Sequence, residues 1–368
     1  MAKQLKNTLR IAAGNNAVGN SAVRNDARSV RPASTRSTGR ATLNDVAIEA
    51  GVSPITVSRA LRGTRAVAPD LILKVNAAVK KIGYVPDPAA RALASQTSNT
   101  VAILVPLLSN TLFVDLIEAV QTTLMPAGYQ TLIGITHYDP AQEQRLITSY
   151  MAYRPAGYLV TGFDRTPASR RMLSQSKAPT VHMMETARAK NLYSVGFSQS
   201  DAGAELTEHL LKRGRKRIVF VGAQLDDRAM QRLDGYRQAL KKTRFYDAKF
   251  EVLDQRSSSI GLGAELFNQI IAKHPQVDAM FFCNDDLAHG GLLAALKRGI
   301  KVPEQIAIAG FNDLAGSSEM PPPLTTIRTR RSEIGEQSAE LLLRLIRKID
   351  VPDRSIDVGY ELIIRQST

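Results

Sequence analysis

Residues 42–59 read TLNDVAIEAGVSPITVSR, a stretch that predicts two short helices joined by a tight turn. Gly51 suits a turn with left-handed backbone geometry. Ser53 is a favourable N-cap residue, and Pro54 fits the first position of a helix, where no backbone N–H is needed. A short helix that exposes its N-terminal end has the shape of an element that enters a DNA major groove. An ordinary helical hairpin is the alternative interpretation.

This stretch resembles the N-terminal signature of the LacI-type (lactose-repressor) family of bacterial transcription regulators. The matching segments are Thr42 and residues 45–47, 50–53 and 56–59. The similarity continues through residues 67–69, 80–86 and 87–94, and the last of these resembles the hinge helix of that family. The resemblance extends to about residue 365.

The resemblance implies a set of residues that contact double-stranded operator DNA. In the second helix, Val57 and Leu61 lie four residues apart and are predicted to point inward, which leaves the opposite side exposed. Leu93 matches the family leucine that wedges between base pairs from the minor groove. The predicted DNA-binding residues are Thr42, Ser53, Pro54, Ile55, Thr56, Ser58 and Arg59 in the headpiece, and Arg91 and Leu93 in the hinge helix.

Positive charge is concentrated near the N-terminus. Residues 1–40 carry eight Lys or Arg and one Asp, and residues 41–98 carry seven basic and four acidic side chains. Residues 99–368 hold 33 basic and 29 acidic groups, although the whole chain has a formal charge of +14. A basic end on a near-neutral body is the charge distribution expected of a nucleic-acid binder.

Residues 1–40 are predicted to be disordered, because Gly, Asn, Ser and Arg are scattered there without periodicity. An import signal is one interpretation; an extended start or a basic arm is favoured. Apolar runs stay below the eighteen or so residues that cross a membrane. The single cysteine, Cys283, excludes an internal disulfide and lies in an apolar run that predicts a buried strand. The expected location is the cytoplasm, without membrane association.

From residue 100 the chain alternates buried apolar runs with amphipathic stretches. The runs predicted as strands are 101–105, 130–135, 157–160, 217–221, 279–283 and 306–309, and the predicted helices are 113–125, 141–151, 228–242 and 287–298. Continuous apolar strands separated by helices indicate parallel sheets covered on both faces. Two such series predict two doubly wound lobes, with a ligand in the cleft between them.

The predicted fold class is an all-α helix-turn-helix headpiece and hinge helix, followed by a two-lobed α/β core with parallel sheets. The resemblance implies that this core is of the periplasmic-binding-protein type I. The predicted segments are 1–40 (disordered), 41–86 (headpiece), 87–98 (hinge and linker) and 99–368 (core). The core chain is expected to cross between lobes three times, with lobe 1 at about 99–197 and 328–356, and lobe 2 at about 198–327 and 357–368.

Catalytic and metal-binding motifs are missing from the sequence. The five histidines have no metal-ligand spacing, and the chain has neither a phosphate-binding loop nor a nucleophile elbow. We therefore expect no cofactor, no metal and no enzymatic activity. A sugar-acid-binding protein or enzyme with a vestigial headpiece remains the alternative class.

Several positions match effector contacts of the family. Arg232 matches an arginine that grips a hydroxyl or carboxylate, although a surface helix residue paired with an aspartate is the alternative. Asn312 stands where many members have Asp, which suggests an anionic ligand. Phe113 has the alternative of being a core aromatic. The predicted effector-binding residues are Leu112, Phe113, His182, Glu185, Arg232, Asn284 and Asn312.

A closer similarity points to the gluconate-operon repressor branch of the family. It is carried by residues 128–132, 137–140, 143–144, 222–228, 257–259 and 283–288. This similarity implies gluconate or a ketogluconate as the effector. We expect a homodimer, and the lack of a heptad run after Ile364 argues against a tetramerising coil.

Overall fold

A computed structural model describes residues 41–61, 67–86, 98–109, 111–187, 189 and 191–368. These residues belong to two compact units, one ending at Pro86 and the other following it. The segment predicted to be disordered and the hinge helix, with Arg91 and Leu93, lie outside the described residues.

The first unit contains three helices, α1 (Leu43–Ala50), α2 (Pro54–Leu61) and α3 (Pro69–Ile82). One fully buried valine from each helix, Val46, Val57 and Val75, forms the centre of its core.

The helix boundaries follow from local chemistry. Thr42 and Asp45 form a capping box at the start of α1, and Gly51 ends that helix with a left-handed φ of 65°. The backbone N–H of Thr56 donates to Oγ of Ser53 at 3.1 Å, which caps α2 just before its first residue. The predicted helix-turn-helix is therefore confirmed.

The second unit contains two lobes, each built on a six-stranded sheet. The first sheet has the order β11-β5-β4-β3-β1-β2. Its strands are β1 (Thr100–Val105), β2 (Gln130–Ile135), β3 (Gly157–Thr161), β4 (Thr180–Glu185), β5 (Tyr193–Phe197) and β11 (Ser355–Asp357). The helices of this lobe are α4 (Thr111–Leu124), α5 (Pro140–Met151), α6 (Pro167–Gln175) and α11 (Arg331–Ile346).

The second sheet has the order β12-β10-β9-β8-β6-β7. Its strands are β6 (Ile218–Ala223), β7 (Glu251–Asp254), β8 (Ala279–Phe282), β9 (Ala307–Asn312), β10 (Thr325–Thr329) and β12 (Tyr360–Ile363). The helices of this lobe are α7 (Gln199–Lys212), α8 (Asp227–Lys241), α9 (Ile260–Lys273) and α10 (Asp285–Lys297). A single 3₁₀ turn, Ala248–Phe250, precedes β7.

Nearly all strand pairs are parallel, which confirms the predicted α/β core. β1 pairs in register with β2 from Thr100↔Gln130 onward, and its last five residues are buried. The exception among the described strands is β12, which runs antiparallel to β10. The chain passes between the sheets after β5, after β10 and after β11.

Glycines bring the helices of the second lobe into backbone contact. A Cβ on Gly235 of α8 would overlap the carbonyl oxygen of Ser200 in α7, and a Cβ on Gly290 of α10 would overlap that of Ile260 in α9. Both helix pairs therefore pack closer than any larger side chain permits.

Candidate functional site

A cavity lies between the two lobes, where the carboxyl ends of β1 to β4 face the first turn of α8. Parallel sheets place ligand sites at this edge. Among the described lining residues, five carry carboxylates and Arg228 is the cation. The lining residues are Leu104, Pro106, Thr136, Tyr138, Asp139, Pro140, Glu143, Thr161, Gly162, Asp164, Glu185, Asp227 and Arg228.

A buried ion pair supports the first-lobe wall of this cavity. Nε of Arg165 lies 2.7 Å from Oε1 of Glu143, and the two side chains are only 2% and 9% exposed. The same guanidinium donates to the carbonyl oxygen of Gly162 at 3.0 Å and to that of Thr161 at 3.3 Å. Arg165 therefore stabilises the turn after β3.

His182, a predicted effector residue, supports the same turn. Nδ1 of its ring lies 2.9 Å from the carbonyl oxygen of Gly162 and 3.0 Å from Nη1 of Arg165, and the tautomer decides whether Nδ1 donates to the first or accepts from the second. The ring stacks on Phe163 with centroids 4.4 Å apart. Burial, and then the charge of Arg165, lower the pKa of His182 to about 4, so the imidazole is neutral near pH 7.

Glu185 is the one predicted effector residue among those that line the cavity. Its side chain is buried, and Oε2 accepts a hydrogen bond from Nε2 of Gln231 at 2.7 Å. Its other oxygen, Oε1, is also buried and accepts no hydrogen bond from any residue that the structure describes. Burial raises the pKa of this carboxyl group.

Arg228 reaches Glu185 from the opposite lobe. Nη1 of Arg228 lies 3.7 Å from Oε1 of Glu185, and Nη2 lies 3.2 Å from Oδ1 of Asp226. The guanidinium also lies 5.8 Å from the ring centroid of Tyr138. The cavity therefore contains a buried cation beside a carboxylate oxygen to which none of the described residues donates a hydrogen bond.

Arg232 lies one helical turn further along α8 and is not among the lining residues. Nε donates to Oε1 of Gln199 at 2.9 Å, and Nη1 donates to the carbonyl oxygen of Cys283. Its guanidinium stacks on Phe311, 3.8 Å from the ring centroid. Burial lowers the pKa of Arg232. These contacts tie α8 to the ends of β8 and β9.

The remaining predicted effector residues also lie outside the lining set. Asn284 caps α10, since its Oδ1 accepts from Leu287 N–H at 3.1 Å and from Oγ of Ser258 at 2.9 Å. Asn312 is buried at the end of β9 with a left-handed φ of 114°. Leu112 and Phe113 are buried in the first turn of α4, within the apolar core.

Sequence reasoning missed Arg228, together with Asp164, Tyr138 and Arg165. A signal for Arg228 was available, because residues four apart on a helix share a face and Arg228 precedes Arg232 by four. The ion pair between Arg165 and Glu143 had no comparable signal, because its partners lie on separate segments.

A serine, a histidine and an aspartate form a buried network in the second lobe. Oγ of Ser317 donates to Oδ2 of Asp285 at 2.9 Å and lies 3.0 Å from Nε2 of His289. The hydroxyl of Thr326 and the N–H of Leu314 also donate to Asp285. In a hydrolase triad the histidine lies between the other two groups. Here the fully buried serine occupies that position, so the network holds the loop after β9.

The headpiece residues predicted to contact DNA differ in their exposure. Pro54, Ile55 and Arg59 of α2 are exposed, with Ile55 at 64%, while Thr56 and Ser58 are half-buried. The hydroxyls of Ser53 and Thr56 lie 2.9 Å apart. Thr42 donates from both its N–H and its hydroxyl to Asp45, so its side chain serves the cap of α1.

Within the part of the chain that the structure describes, no cluster of His, Cys, Asp or Glu has the arrangement of a metal site. None of the described helices is both long and apolar enough to traverse a bilayer.

Two family models match the chain. Residues 42–87 match the bacterial regulatory proteins of the lacI family, and residues 207–368 match a periplasmic binding protein-like domain.

Relatives cover almost the whole chain. It is 54% identical over 334 residues to the HTH-type transcriptional regulator GntR of Pseudomonas aeruginosa, covering 91% of this chain and 97% of that protein. It is 33% identical over 323 residues to GntR of Escherichia coli, covering 88% of this chain and 97% of that protein. The crystal structure of a transcriptional regulator of the same family from Silicibacter pomeroyi superposes with a TM-score of 0.82 at 32% identity, covering 89% of this chain and 99% of that one. The chain belongs to the lacI family of bacterial regulatory proteins and is a DNA-binding transcriptional regulator.

Proposed function

We propose that this regulator is a repressor whose affinity for its operator is controlled by a small sugar acid bound between the lobes of the core. The observation that carries the proposal is the charge pattern of the cavity, where buried Arg228 lies among several carboxylates. Arginine pairs with the carboxylate of a ligand, whereas carboxylates accept hydrogen bonds from hydroxyl groups. A polyhydroxylated acid carries both kinds of group, and a neutral sugar carries only one.

Gluconate and ketogluconate are the favoured effectors. The closer sequence similarity supports this choice, since residues 137–140 and 222–228 of the gluconate-type motifs include lining residues. Among the predicted effector residues, Glu185 is proposed to contact the ligand directly. The walls beside and behind the site would be formed by Leu112, Phe113, His182, Arg232, Asn284 and Asn312.

For DNA recognition, we propose that α2 enters the major groove and that the hinge helix enters the minor groove. Ile55 and Pro54 would make apolar contacts with bases, Arg59 would reach a base edge or a phosphate, and Leu93 would wedge between base pairs. The protein would act in the cytoplasm as a homodimer, because two headpieces are needed to read two half-sites. Ligand binding would alter the closure of the lobes and thereby the hinge.

A paired binding experiment tests this function. Thermal unfolding is followed with gluconate, 2-ketogluconate and a neutral hexose, and gel shifts on DNA upstream of the chain's own gene are recorded with the same ligands. We expect a sugar acid to raise the melting temperature and to weaken the protein–DNA complex. A sugar acid that stabilises the protein in the absence of any specific DNA complex would support the alternative, a sugar-acid-binding protein or enzyme with a vestigial headpiece.

A further inference from the structure

The oxygen Oε1 of Glu185 is a buried acceptor without a hydrogen bond from the described residues. Its side chain is 5% exposed and lines the cavity between the lobes. A buried polar atom without a hydrogen bond is energetically costly, so such atoms in native proteins are expected to have a hydrogen-bond partner. Because Oε2 of the same carboxylate is already bonded to Gln231, the missing partner must approach Oε1.

The position of Arg228 indicates what that partner is. Its Nη1 lies 3.7 Å from Oε1, which is too long for a hydrogen bond between them. One oxygen atom that lies to the side of the line joining them could be within hydrogen-bond distance of both. This oxygen must accept from the guanidinium and donate to the carboxylate. A hydroxyl group does both, as a water molecule does, whereas a carbonyl or carboxylate oxygen can only accept.

The turn beneath these two atoms is built without a side chain. Gly162 has φ +64°, and a Cβ there would lie 2.6 Å from Oε1 of Glu185 and 3.1 Å from Nη1 of Arg228. Both atoms therefore pack directly over its Cα. Arg165 and His182 both contact the carbonyl oxygen of Gly162, which stabilises the backbone of this turn.

We propose that the effector places a hydroxyl group between Arg228 and Glu185, and that this hydroxyl stands on the carbon next to the carboxylate. The inference rests on the proposed function. If the guanidinium of Arg228 also pairs with the carboxylate of the effector, the carbon next to that carboxylate is the hydroxyl-bearing carbon nearest to Arg228. The site consequently selects a 2-hydroxy polyhydroxy acid and disfavours the corresponding 2-keto acid. The keto oxygen of the open-chain acid would face Oε1 with no hydrogen between them.

Calorimetry on the full-length protein with gluconate and 2-ketogluconate tests the selection. We expect gluconate to bind at least about 10-fold more tightly, because a site built for a hydroxyl rejects an analogue that lacks it. 2-Deoxygluconate should also bind more weakly than gluconate, which separates the loss of the hydrogen bond from repulsion by the keto oxygen.

Glu185→Gln is the diagnostic variant, because an amide can donate to a keto oxygen. The preference for gluconate should fall to within about 3-fold in this variant. Glu304→Gln is the matched control: it makes the same amide substitution at an exposed residue that does not line the cavity and should leave the ratio of the two affinities unchanged.

Three outcomes would overturn the inference. Equal or tighter binding of 2-ketogluconate by the parent protein would do so while leaving the proposed function intact. The inference would likewise fail, with the proposed function intact, if Glu185→Gln and Glu304→Gln shifted the ratio of the two affinities equally. If the parent binds neither sugar acid, the proposed effector class fails and this inference fails with it. The comparison of ligands on the parent stands even if a variant does not fold.

Discussion

Nε of Arg331 lies 2.6 Å from Oδ2 of Asp115, and the same guanidinium spans the two lobes. Asp115 belongs to α4 of the first lobe, while Nη1 of Arg331 donates to the carbonyl oxygens of Asn312 and Asp313 at the end of β9 in the second. Arg331 begins α11, just after the chain has passed between the sheets. The side chain of Arg331 therefore binds the segment that connects the two lobes to both of them.

Arg331→Met should lower the free energy of unfolding by about 1–3 kcal/mol, because three charge-assisted hydrogen bonds are lost. Urea denaturation measures the change. The neighbouring Arg330→Met is the control. Arg330 is half exposed, and its Nη1 forms a surface ion pair with Oε2 of Glu333 at 3.6 Å. Its effect should stay within about 0.5 kcal/mol. Similar losses in both variants would contradict the bridging role of Arg331.

The two arginines of α8 should respond differently to substitution by lysine. Arg228→Lys should lower effector affinity by about 10-fold or more, because lysine cannot reproduce the planar, multiply bonded contact. Arg232→Lys should mainly reduce stability, since Arg232 stacks on Phe311 and donates to Gln199 and Cys283.

Calorimetry with gluconate and thermal unfolding without it separate these two roles. The sequence motif alone led to the opposite hypothesis, that Arg232 grips the carboxylate. Full effector affinity in Arg228→Lys with loss in Arg232→Lys would restore that hypothesis.

Stability should fall as the pH decreases from about 6.5 to about 4, in part through His182. Its folded-state pKa is lowered to about 4, so the unfolded chain takes up a proton at higher pH than the folded protein. The contribution is fully present above pH 6.5 and amounts to up to about 3 kcal/mol.

His182→Gln keeps a donor for Gly162 and should flatten the pH dependence of the unfolding free energy. Burial also lowers the pKa values of His209 and His289, so some slope should persist. His137→Gln replaces an exposed imidazole and serves as the control. An unchanged slope in His182→Gln would contradict the assignment.

Gly235→Ala should destabilise the core by about 1–3 kcal/mol or prevent folding, because the added Cβ meets the backbone of α7. Gly261→Ala, in the first turn of α9, is the control: the nearest atom to its Cβ would be Oγ of Ser259 at 3.9 Å. That change should be neutral or stabilising by up to about 1 kcal/mol. Thermal denaturation distinguishes the two, and equal melting temperatures would refute the close helix contact.

Operator recognition should depend on the exposed start of α2. Ile55→Gln should change the preferred operator sequence, and Arg59→Ala should weaken binding by about 1–3 kcal/mol if Arg59 contacts a base. Ile48→Gln is the control, since Ile48 is 79% exposed but belongs to α1. Selection from a randomised operator library, followed by gel shifts, measures both effects. Unchanged selectivity in Ile55→Gln and unchanged affinity in Arg59→Ala would exclude this face of α2 as the reading surface.

Local sequence chemistry was sufficient to predict most of the fold. The apolar run at 130–135 matches β2 to the residue, and the cap formed by Ser53 and Pro54 marks the start of α2. Such features depend on neighbours in the chain, which sequence inspection can assess. Short strands such as β7 and β11 were not predicted, because three or four residues carry too little pattern.

The site was predicted less well, for a physical reason. Glu185 was named from the sequence, but its relation to Arg228 depends on how two lobes meet. The turn at Gly162, held by Arg165 and His182, likewise depends on segments about twenty residues apart. Tertiary contacts decide whether a polar side chain faces a cavity or forms hydrogen bonds with other protein groups. Arg228 and Arg232 show the difference.

The glycine contacts between α7 and α8, and between α9 and α10, limit how the core can move. Helices whose backbones touch cannot slide without overlap, so α7 moves together with α8, and α9 with α10. Adjustment to a ligand is left to the three short passages after β5, β10 and β11. A change in lobe closure would therefore be a rotation of one lobe about these three passages.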